Sequence, residues 1–220
     1  MLERTSGMPE KNIAERERKR FDLFLNLAVV AAEVYALTRG FAENGVRGFA
    51  YYTYLSNLVA FFACFACAAE SCCAPQNKGL SPATLRLKFF AVTSLAVTVG
   101  VVLFALFPVF LLSSGMPGSF SLASFFLHAF CPILSAVSFF AFERGEKGED
   151  LSFRDSVRAA FPTLFYGLTL LYLNFTHAFV GPYPFFEVYL HPRLAAFFCP
   201  LIPVAAFVFA LVFRRRRLRA

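Results

Sequence analysis

The sequence predicts an all-α fold: a polytopic integral membrane bundle of six transmembrane helices, with both termini in the cytoplasm. Three observations support this. The 220 residues are 58% hydrophobic with a mean hydropathy of +0.61, and only 16% are charged, against about a quarter in a typical soluble domain. The charges are segregated, which leaves apolar blocks of roughly 20 residues, the length that crosses a bilayer. All of the 21 basic residues except Arg39, Arg47 and Arg193 fall on one side of the resulting topology.

The apolar blocks lie at 21–40, 52–70, 88–112, 121–142, 159–178 and 194–213. No small-residue cleavage site follows the first block, so we interpret it as a retained helix rather than a signal peptide. The one-sided distribution of Lys and Arg places both termini in the cytoplasm under the positive-inside rule. The chain then divides into a basic cytoplasmic segment, 1–20, a six-helix transmembrane domain, 21–213, and a basic tail, 214–220. The net charge of +7 is explained by topology, and no nucleic-acid partner is needed.

The six cysteines show neither a disulfide framework nor the spacing of a zinc site. Adjacent Cys72 and Cys73 lie where the second helix is expected to end, which leaves palmitoylation open as an alternative to free thiols. We predict no metal and no other cofactor. No internal repeat is present, so the inverted-repeat architecture of many transporters has no support.

The second block opens with the stretch Tyr51–Leu58, Tyr-Tyr-Thr-Tyr-Leu-Ser-Asn-Leu. Helical spacing places its small and polar residues on one face. They are Thr53, Ser56, Asn57, Ala60, Cys64 and Cys67. A hydroxyl and a carboxamide one turn apart inside a membrane need polar partners.

Other polar residues of the predicted helices fall at a similar depth, in the half of the bilayer away from the basic loops, when counted at 1.5 Å per residue. Glu33 lies in the first helix, and His128 lies in the fourth, where Pro132 frees its carbonyl and favours a kink. In the cytoplasmic half we expect chiefly Ser and Cys. The sequence therefore predicts one polar pocket near the outer leaflet. Its predicted residues are Glu33, Thr53, Ser56, Asn57, His128, Asn174, His177, Tyr183 and Glu187.

A hydroxyl beside an imidazole is the minimal pair of nucleophile and general base. Thr53 and His128 fit these roles, and Asn57 could donate a hydrogen bond to a developing oxyanion. Glu33 or Asn174 could orient the imidazole. The alternative interpretation is structural, because Thr and Asn in membrane helices commonly serve packing and interhelical hydrogen bonding.

Three short motifs together resemble one family. They are Tyr-Tyr-Thr-Tyr-Leu-Ser-Asn-Leu around Thr53, Leu-His-Ala-Phe-Cys-Pro around His128, and Gly-Pro-Tyr-Pro-Phe at 181–185. Their order and spacing are similar to those of the androgen-induced protein and ADTRP family with its bacterial six-helix relatives, and the resemblance covers about residues 20 to 213. It implies an intramembrane threonine hydrolase of fatty acid esters of hydroxy fatty acids, with Thr53 as nucleophile and His128 as base. The residue spacing within the Thr53 and His128 motifs is most similar to that of the bacterial branch of the family.

The sequence thus predicts a metal-independent hydrolase of lipid esters, acting within the membrane on a substrate that arrives laterally from the lipid. Membrane lipids and a lipid ester are the expected partners, and the location is the inner membrane if the protein is bacterial. One alternative is a non-enzymatic protein that binds or transports a lipid or small solute through the same pocket, with Glu33 as a proton-linked carboxylate. A passive scaffold is another. The acyl chain and the oligomeric state stay open.

Overall fold

The computed structural model describes residues 7–73, 78–108, 121–146 and 150–217. Within these ranges the fold is all-helical, with one isolated backbone bridge between Leu80 and Gly145. The long helices are α1 (Gly7–Asn44), α2 (Tyr52–Cys73), α3 (Pro82–Leu106), α4 (Leu122–Phe142), α5 (Phe153–Phe175) and α6 (Pro192–Arg217). Short 3₁₀ turns at Gly45–Ala50 and Pro184–Phe186 follow α1 and α5. The end of the third predicted block, 109–112, lies outside the described residues.

Five of these helices, all except α5, are long and apolar enough to cross a membrane. This is the pattern of a multi-pass integral membrane protein. The sequence prediction counted α5 as a further crossing. It has the necessary length, but Thr163, Tyr166, Gly167 and Thr169 interrupt its apolar residues.

Helix α3 lies at the centre of the bundle, packed against α2, α5 and α6, while α1 packs against α2 and α4. Its central position follows from its sequence, since apolar and small residues cover every face between Phe89 and Thr98. Helices α5 and α6 instead keep large apolar side chains on the outside, among them Phe161, Phe165 and Phe197. Such exposed side chains are expected where a helix contacts lipid rather than water.

Helix α4 contains a π-helical turn, Phe126–Phe130, which includes His128. In this turn the N–H of Cys131 donates to the carbonyl of Phe126 rather than to that of Leu127. The next residue, Pro132, has no N–H, so the Leu127 carbonyl is left without a main-chain partner. The sequence predicted that Pro132 frees the carbonyl of His128. The carbonyl that a side chain takes up is instead that of Leu127, which accepts from the Asn57 amide.

The start of α2 is fixed against the end of α1 by a close approach at Gly40. A Cβ atom at this position would lie 2.1 Å from the ring of Tyr54, so only glycine admits the tyrosine. The Tyr54 hydroxyl accepts a hydrogen bond from Asn44 at 3.1 Å. Together these contacts hold the first turn of α2, which carries Thr53, at one end of the bundle.

The opposite end, called here the basic end, contains a buried charged network. Lys88 is fully buried, and its Nζ atom lies 2.9 Å from Glu143 Oε1 and donates to Asn26 at 2.6 Å. Asn26 also donates to Asp22, and Ser138 donates to both Asp22 and Glu143. These five residues are called the basic cluster below.

The basic cluster corrects two sequence predictions. Lys88 was counted with the basic residues of a cytoplasmic loop region, and the cytoplasmic half of the bundle was expected to hold chiefly Ser and Cys. Lys88 is instead fully buried because its partners Asn26 and Glu143 reach it from α1 and from the end of α4. The end of α6 closes this region, since Arg217 donates to the carbonyls of Phe139 and Glu143.

Candidate active site

The structure brings Thr53 and His128 together. Thr53 lies in the first turn of α2 and is buried, while His128 lies in the π-helical turn of α4 and is half-buried. The Thr53 Oγ1 atom is 3.4 Å from His128 Nε2. This distance is at the long end of hydrogen bonding, as is common for catalytic pairs without a bound substrate.

The other ring nitrogen of His128 fixes the direction of this contact. Nδ1 lies 2.9 Å from the carbonyl oxygen of Ser124. A carbonyl can only accept, so Nδ1 carries the proton and donates it to Ser124, which leaves Nε2 of the neutral ring as an acceptor. Nε2 can then accept a hydrogen bond from the Thr53 hydroxyl, which is the arrangement that a general base requires.

Asn57 and Ser56 support this pair rather than contact its reactive atoms. The Asn57 amide donates to the carbonyls of Thr53, at 2.7 Å, and Leu127, at 3.1 Å. It thereby satisfies the carbonyl left free by the π-helical turn and ties α2 to α4 beside His128. Because both bonds use its N–H donors, Asn57 offers no donor to an oxyanion in this structure. Ser56 bonds Thr98 at 2.7 Å and so ties α2 to α3.

Tyr183 reaches the site from the loop between α5 and α6. Its buried hydroxyl lies beside the Thr53 side chain and the backbone N–H groups of Tyr52 and Thr53. Burial raises the pKa of Tyr183 to about 12, although hydrogen bonding with these groups acts in the opposite direction. The phenol is therefore neutral and can donate a hydrogen bond at neutral pH.

A small cavity of about 30 Å³ adjoins Thr53 and Tyr183, enough for about two water molecules. Its other walls come from α3, α5 and α6 and include Thr98, Tyr166 and Ile202. A second cavity of about 200 Å³ lies between α3 and α6, lined by apolar residues that include Gly100, Phe104 and Phe209. Val97, Val101 and Ile202 line both cavities, so the two are neighbours.

Glu33 and Asn174 have no hydrogen bond to the imidazole among the described contacts, and the Ser124 carbonyl occupies the position proposed for them. Glu33 is fully buried on α1, and neither carboxyl oxygen has a hydrogen-bond partner in the described part of the chain. The thiol of Cys131 lies near it. Asn174 accepts a hydrogen bond from the Val188 N–H at 3.1 Å and so fixes the loop that carries Tyr183.

His177 and Glu187 lie away from Thr53. His177 follows the end of α5, is exposed, and stacks on Tyr189 with ring centroids 4.6 Å apart. Glu187 is partly exposed, and its carboxylate is 4.0 Å from His191 Nε2. Neither residue lines the cavity at Thr53.

The sequence analysis did not include the Ser124 carbonyl or three side chains that line the cavity, Tyr52, Thr163 and Tyr166. The Ser124 carbonyl is a backbone group, so no side chain in the sequence indicates its role. Its position four residues before His128 is nevertheless compatible with a local contact. Tyr52 and Thr163 share a hydrogen bond at 2.7 Å, and Tyr166 donates to the Ala50 carbonyl at 2.6 Å. Tyr52 belongs to the motif around Thr53, but its hydrogen-bond partner on α5, Thr163, is 111 residues away in the sequence.

Among the described residues, no group of three or more His, Cys, Asp and Glu side chains is arranged to hold a metal ion. Comparison with protein-family models, curated proteins and solved structures gives no match to this chain.

Proposed function

We propose that the protein is an intramembrane hydrolase of lipid carboxylic esters, such as fatty acid esters of hydroxy fatty acids, with Thr53 as nucleophile and His128 as general base. The observation that carries this proposal is the contact of 3.4 Å between Thr53 Oγ1 and His128 Nε2, together with the Nδ1 bond to the Ser124 carbonyl. The resemblance of the three motifs to the androgen-induced protein and ADTRP family supports the same roles.

The proposed reaction has two stages. The Thr53 proton moves to His128 Nε2 while Oγ1 attacks the ester carbonyl, and the resulting imidazolium protonates the departing alcohol as the C–O bond breaks. A water molecule then attacks the acyl-threonine, giving its proton to His128. Thr53 regains a proton from the imidazolium, and the free fatty acid leaves. The steps require no cofactor.

The oxyanion would be stabilised by groups other than Asn57. The Tyr183 hydroxyl and the N–H groups of Tyr52 and Thr53 converge beside the nucleophile. N–H groups in the first turn of a helix lack main-chain partners, and the helix dipole favours negative charge there. In the resting site the Tyr183 hydroxyl occupies this position, so substrate binding would displace it or turn it into a donor.

The apolar cavity between α3 and α6 supports lateral access for an acyl chain. It is lined almost wholly by apolar residues and adjoins the cavity at Thr53. The Thr53 cavity itself holds only about two water molecules, so the ester group must separate Ile202 and Val101 to reach Oγ1. Such a closed resting state would keep bulk water from the acyl-enzyme.

For the topology, we propose six crossings, including α5, with both termini in the cytoplasm. The contacts of Arg217 with the carbonyls of Phe139 and Glu143 support this, because they put the end of α6 beside the basic cluster, which includes Asp22 of α1. A basic end on the cytoplasmic side satisfies the positive-inside rule. In a bacterium the membrane would be the inner one.

Hydrolysis of a fatty acid ester of a hydroxy fatty acid by the purified, bilayer-embedded protein tests the proposal. Thr53→Val keeps the side-chain shape and removes the hydroxyl, and Thr169→Val makes the same change at an exposed position of α5. We expect the rate to fall by about 10³-fold or more in Thr53→Val and in His128→Gln, and to be unchanged in Thr169→Val and His191→Gln. A wild-type rate in folded Thr53→Val would contradict the proposal.

A second function, proton-linked binding or transport of a lipid or small solute, is favoured by Glu33. A fully buried carboxyl group is costly in a membrane and often marks a functional site. Proteoliposomes with an internal pH dye distinguish the two functions. Solute-driven acidification that Glu33→Gln abolishes and Thr53→Val leaves intact would favour transport, and its absence in wild type would rule transport of that solute out.

A further inference from the structure

A cavity of about 210 Å³ opens beside the basic cluster, on the opposite end of the bundle from Thr53. It lies between the first half of α1, the end of α2, and the two short segments around Leu80 and Gly145. It has room for on the order of ten water molecules, and therefore for a phosphate group with several of them. Two of its lining side chains, Lys78 and Arg144, are exposed, so solutes can reach it.

The rim of this cavity is held in place by the backbone. The N–H of Leu80 donates to the Arg144 carbonyl at 2.8 Å, and the N–H of Glu146 donates to the Leu80 carbonyl at 3.1 Å. Gly79 packs so closely that a Cβ atom there would lie 2.3 Å from the Gly145 carbonyl oxygen. The segments that carry Lys78 and Arg144 are therefore fixed relative to each other, as a binding site requires.

Four cations line the cavity, Arg18, Lys19, Lys78 and Arg144, together with three carboxylates, Glu15, Asp22 and Glu70. Two of the carboxylates are committed to other groups. Glu70 accepts hydrogen bonds from the Ser81 N–H and from the hydroxyls of Ser81 and Thr84. Asp22 accepts from Asn26 and Ser138 within the basic cluster.

One guanidinium group in the cavity has a buried donor without a partner, and a second guanidinium group lies near it. Arg18 contacts Glu15 through Nη2, at 3.7 Å, while its buried Nη1 has no hydrogen-bond partner in the described part of the chain. Arg144 lies near enough for its charge to act on Arg18. The charges of Glu15 and Asp22 also act on Arg18, but neither carboxylate hydrogen-bonds Nη1, so this buried donor is left for an anion from outside the described chain.

We propose that this cavity binds a phosphate group between the guanidinium groups of Arg18 and Arg144; Lys78 at the rim is already paired with Glu146 at 3.1 Å. Arginine suits this role because its planar donors match phosphate oxygens in pairs. The phosphate could belong to an anionic phospholipid, since basic pockets at the ends of transmembrane helices bind such headgroups, or to free phosphate. The inference does not depend on the hydrolase proposal.

Thermal unfolding of the full-length protein, followed by circular dichroism, tests the inference in two arms. One arm adds inorganic phosphate to protein in phosphatidylcholine nanodiscs, against sodium chloride at the same ionic strength. The other replaces part of the phosphatidylcholine by phosphatidylglycerol. A ligand that binds the folded state raises the unfolding midpoint in proportion to its saturation, so the arm that responds identifies the source of the phosphate.

The informative variants are Arg144→Gln and the pair Arg18→Gln with Arg144→Gln. The matched control pair is Arg20→Gln with Arg154→Gln, which removes the same charge at exposed positions outside the cavity. We expect the ligand concentration needed for half the shift to rise about 10-fold or more in the cavity variants and to stay unchanged in the control pair.

Two results would overturn the inference: no stabilisation of the wild type in either arm, or an equal loss in the control pair, which would indicate a general charge effect. The single variant Arg144→Gln keeps the test decisive if the pair fails to fold, because Arg144 is exposed on a loop.

Discussion

The basic cluster and the polar groups around Thr53 differ in the kind of contact that holds their side chains together. In the basic cluster, Lys88 has partners in Asn26, Glu143 and Cys64, and the neighbouring carboxylates accept several donors each. At Thr53 the groups are neutral, the contact with His128 is long at 3.4 Å, and a cavity adjoins them. The paired charges of the basic cluster join α1, α3 and the end of α4, and removing one partner would leave a buried charge uncompensated. The two ends of the bundle therefore hold their polar groups by different interactions, an ion pair at one end and neutral hydrogen bonds at the other.

The largest expected effect is at the basic cluster. Lys88→Met removes the ammonium group and leaves Glu143 buried without its counter-charge, which should cost about 3–5 kcal/mol of unfolding free energy. Denaturant unfolding of the purified protein measures this. The double variant Lys88→Met with Glu143→Gln should recover part of the loss, because it removes the unpaired charge. A single variant as stable as the wild type would mean that the buried pair contributes nothing to the packing.

A smaller effect, on rate rather than stability, is expected at Tyr183. Tyr183→Phe removes a donor beside the nucleophile and keeps the ring, so kcat for ester hydrolysis should fall by about 10²-fold with little change in unfolding. Tyr189→Phe, an exposed tyrosine of the same loop, is the control. If both variants retain wild-type kcat, the Tyr183 hydroxyl takes no part in oxyanion stabilisation.

Asn57 should affect stability because its amide joins α2 to α4. Asn57→Leu leaves the Leu127 carbonyl buried without a donor, at a cost of about 1–3 kcal/mol. Asn44→Leu, which removes a half-buried amide near the end of α1, should cost less. An equal cost for the two variants would argue against a special role for the π-helical turn.

The smallest effect is expected at the start of α5, before the apolar block 159–178. Burial acts to raise the pKa of Asp155, but hydrogen bonds from Ser152 and the charges of Arg86 and Arg158 outweigh it and lower the pKa. A carboxylate with a lowered pKa stabilises the fold above its unfolded pKa of about 3.9, and the contribution disappears as the pH falls through the folded value. Asp155→Asn should lower the free energy of unfolding by about 1 kcal/mol at pH 7. It should also make the unfolding midpoint less dependent on pH below about pH 4. Asp150→Asn, an exposed neighbour, should leave that pH dependence unchanged.

The helices and the proximity of Thr53 to His128 were accessible from the sequence, because hydropathy gives the length of each helix and counting residues gives depth. Counting residues does not show which way a side chain points around the bundle axis. His177 was predicted at the depth of the site, but it lies beyond the end of α5 and is exposed. The burial of Lys88 could not be predicted from nearby residues, because its partners Asn26 and Glu143 are 62 and 55 positions away in the sequence. The Ser124 carbonyl, a backbone group, has no side-chain signature.

The central claim is that Thr53 is a nucleophile activated by His128, and peptide mapping after reaction with a fluorophosphonate probe tests it most directly. The account predicts a covalent adduct on the peptide that contains Thr53, absent in His128→Gln protein that folds normally and retained in His191→Gln. An adduct on another residue, or none on folded wild-type protein, would contradict the claim.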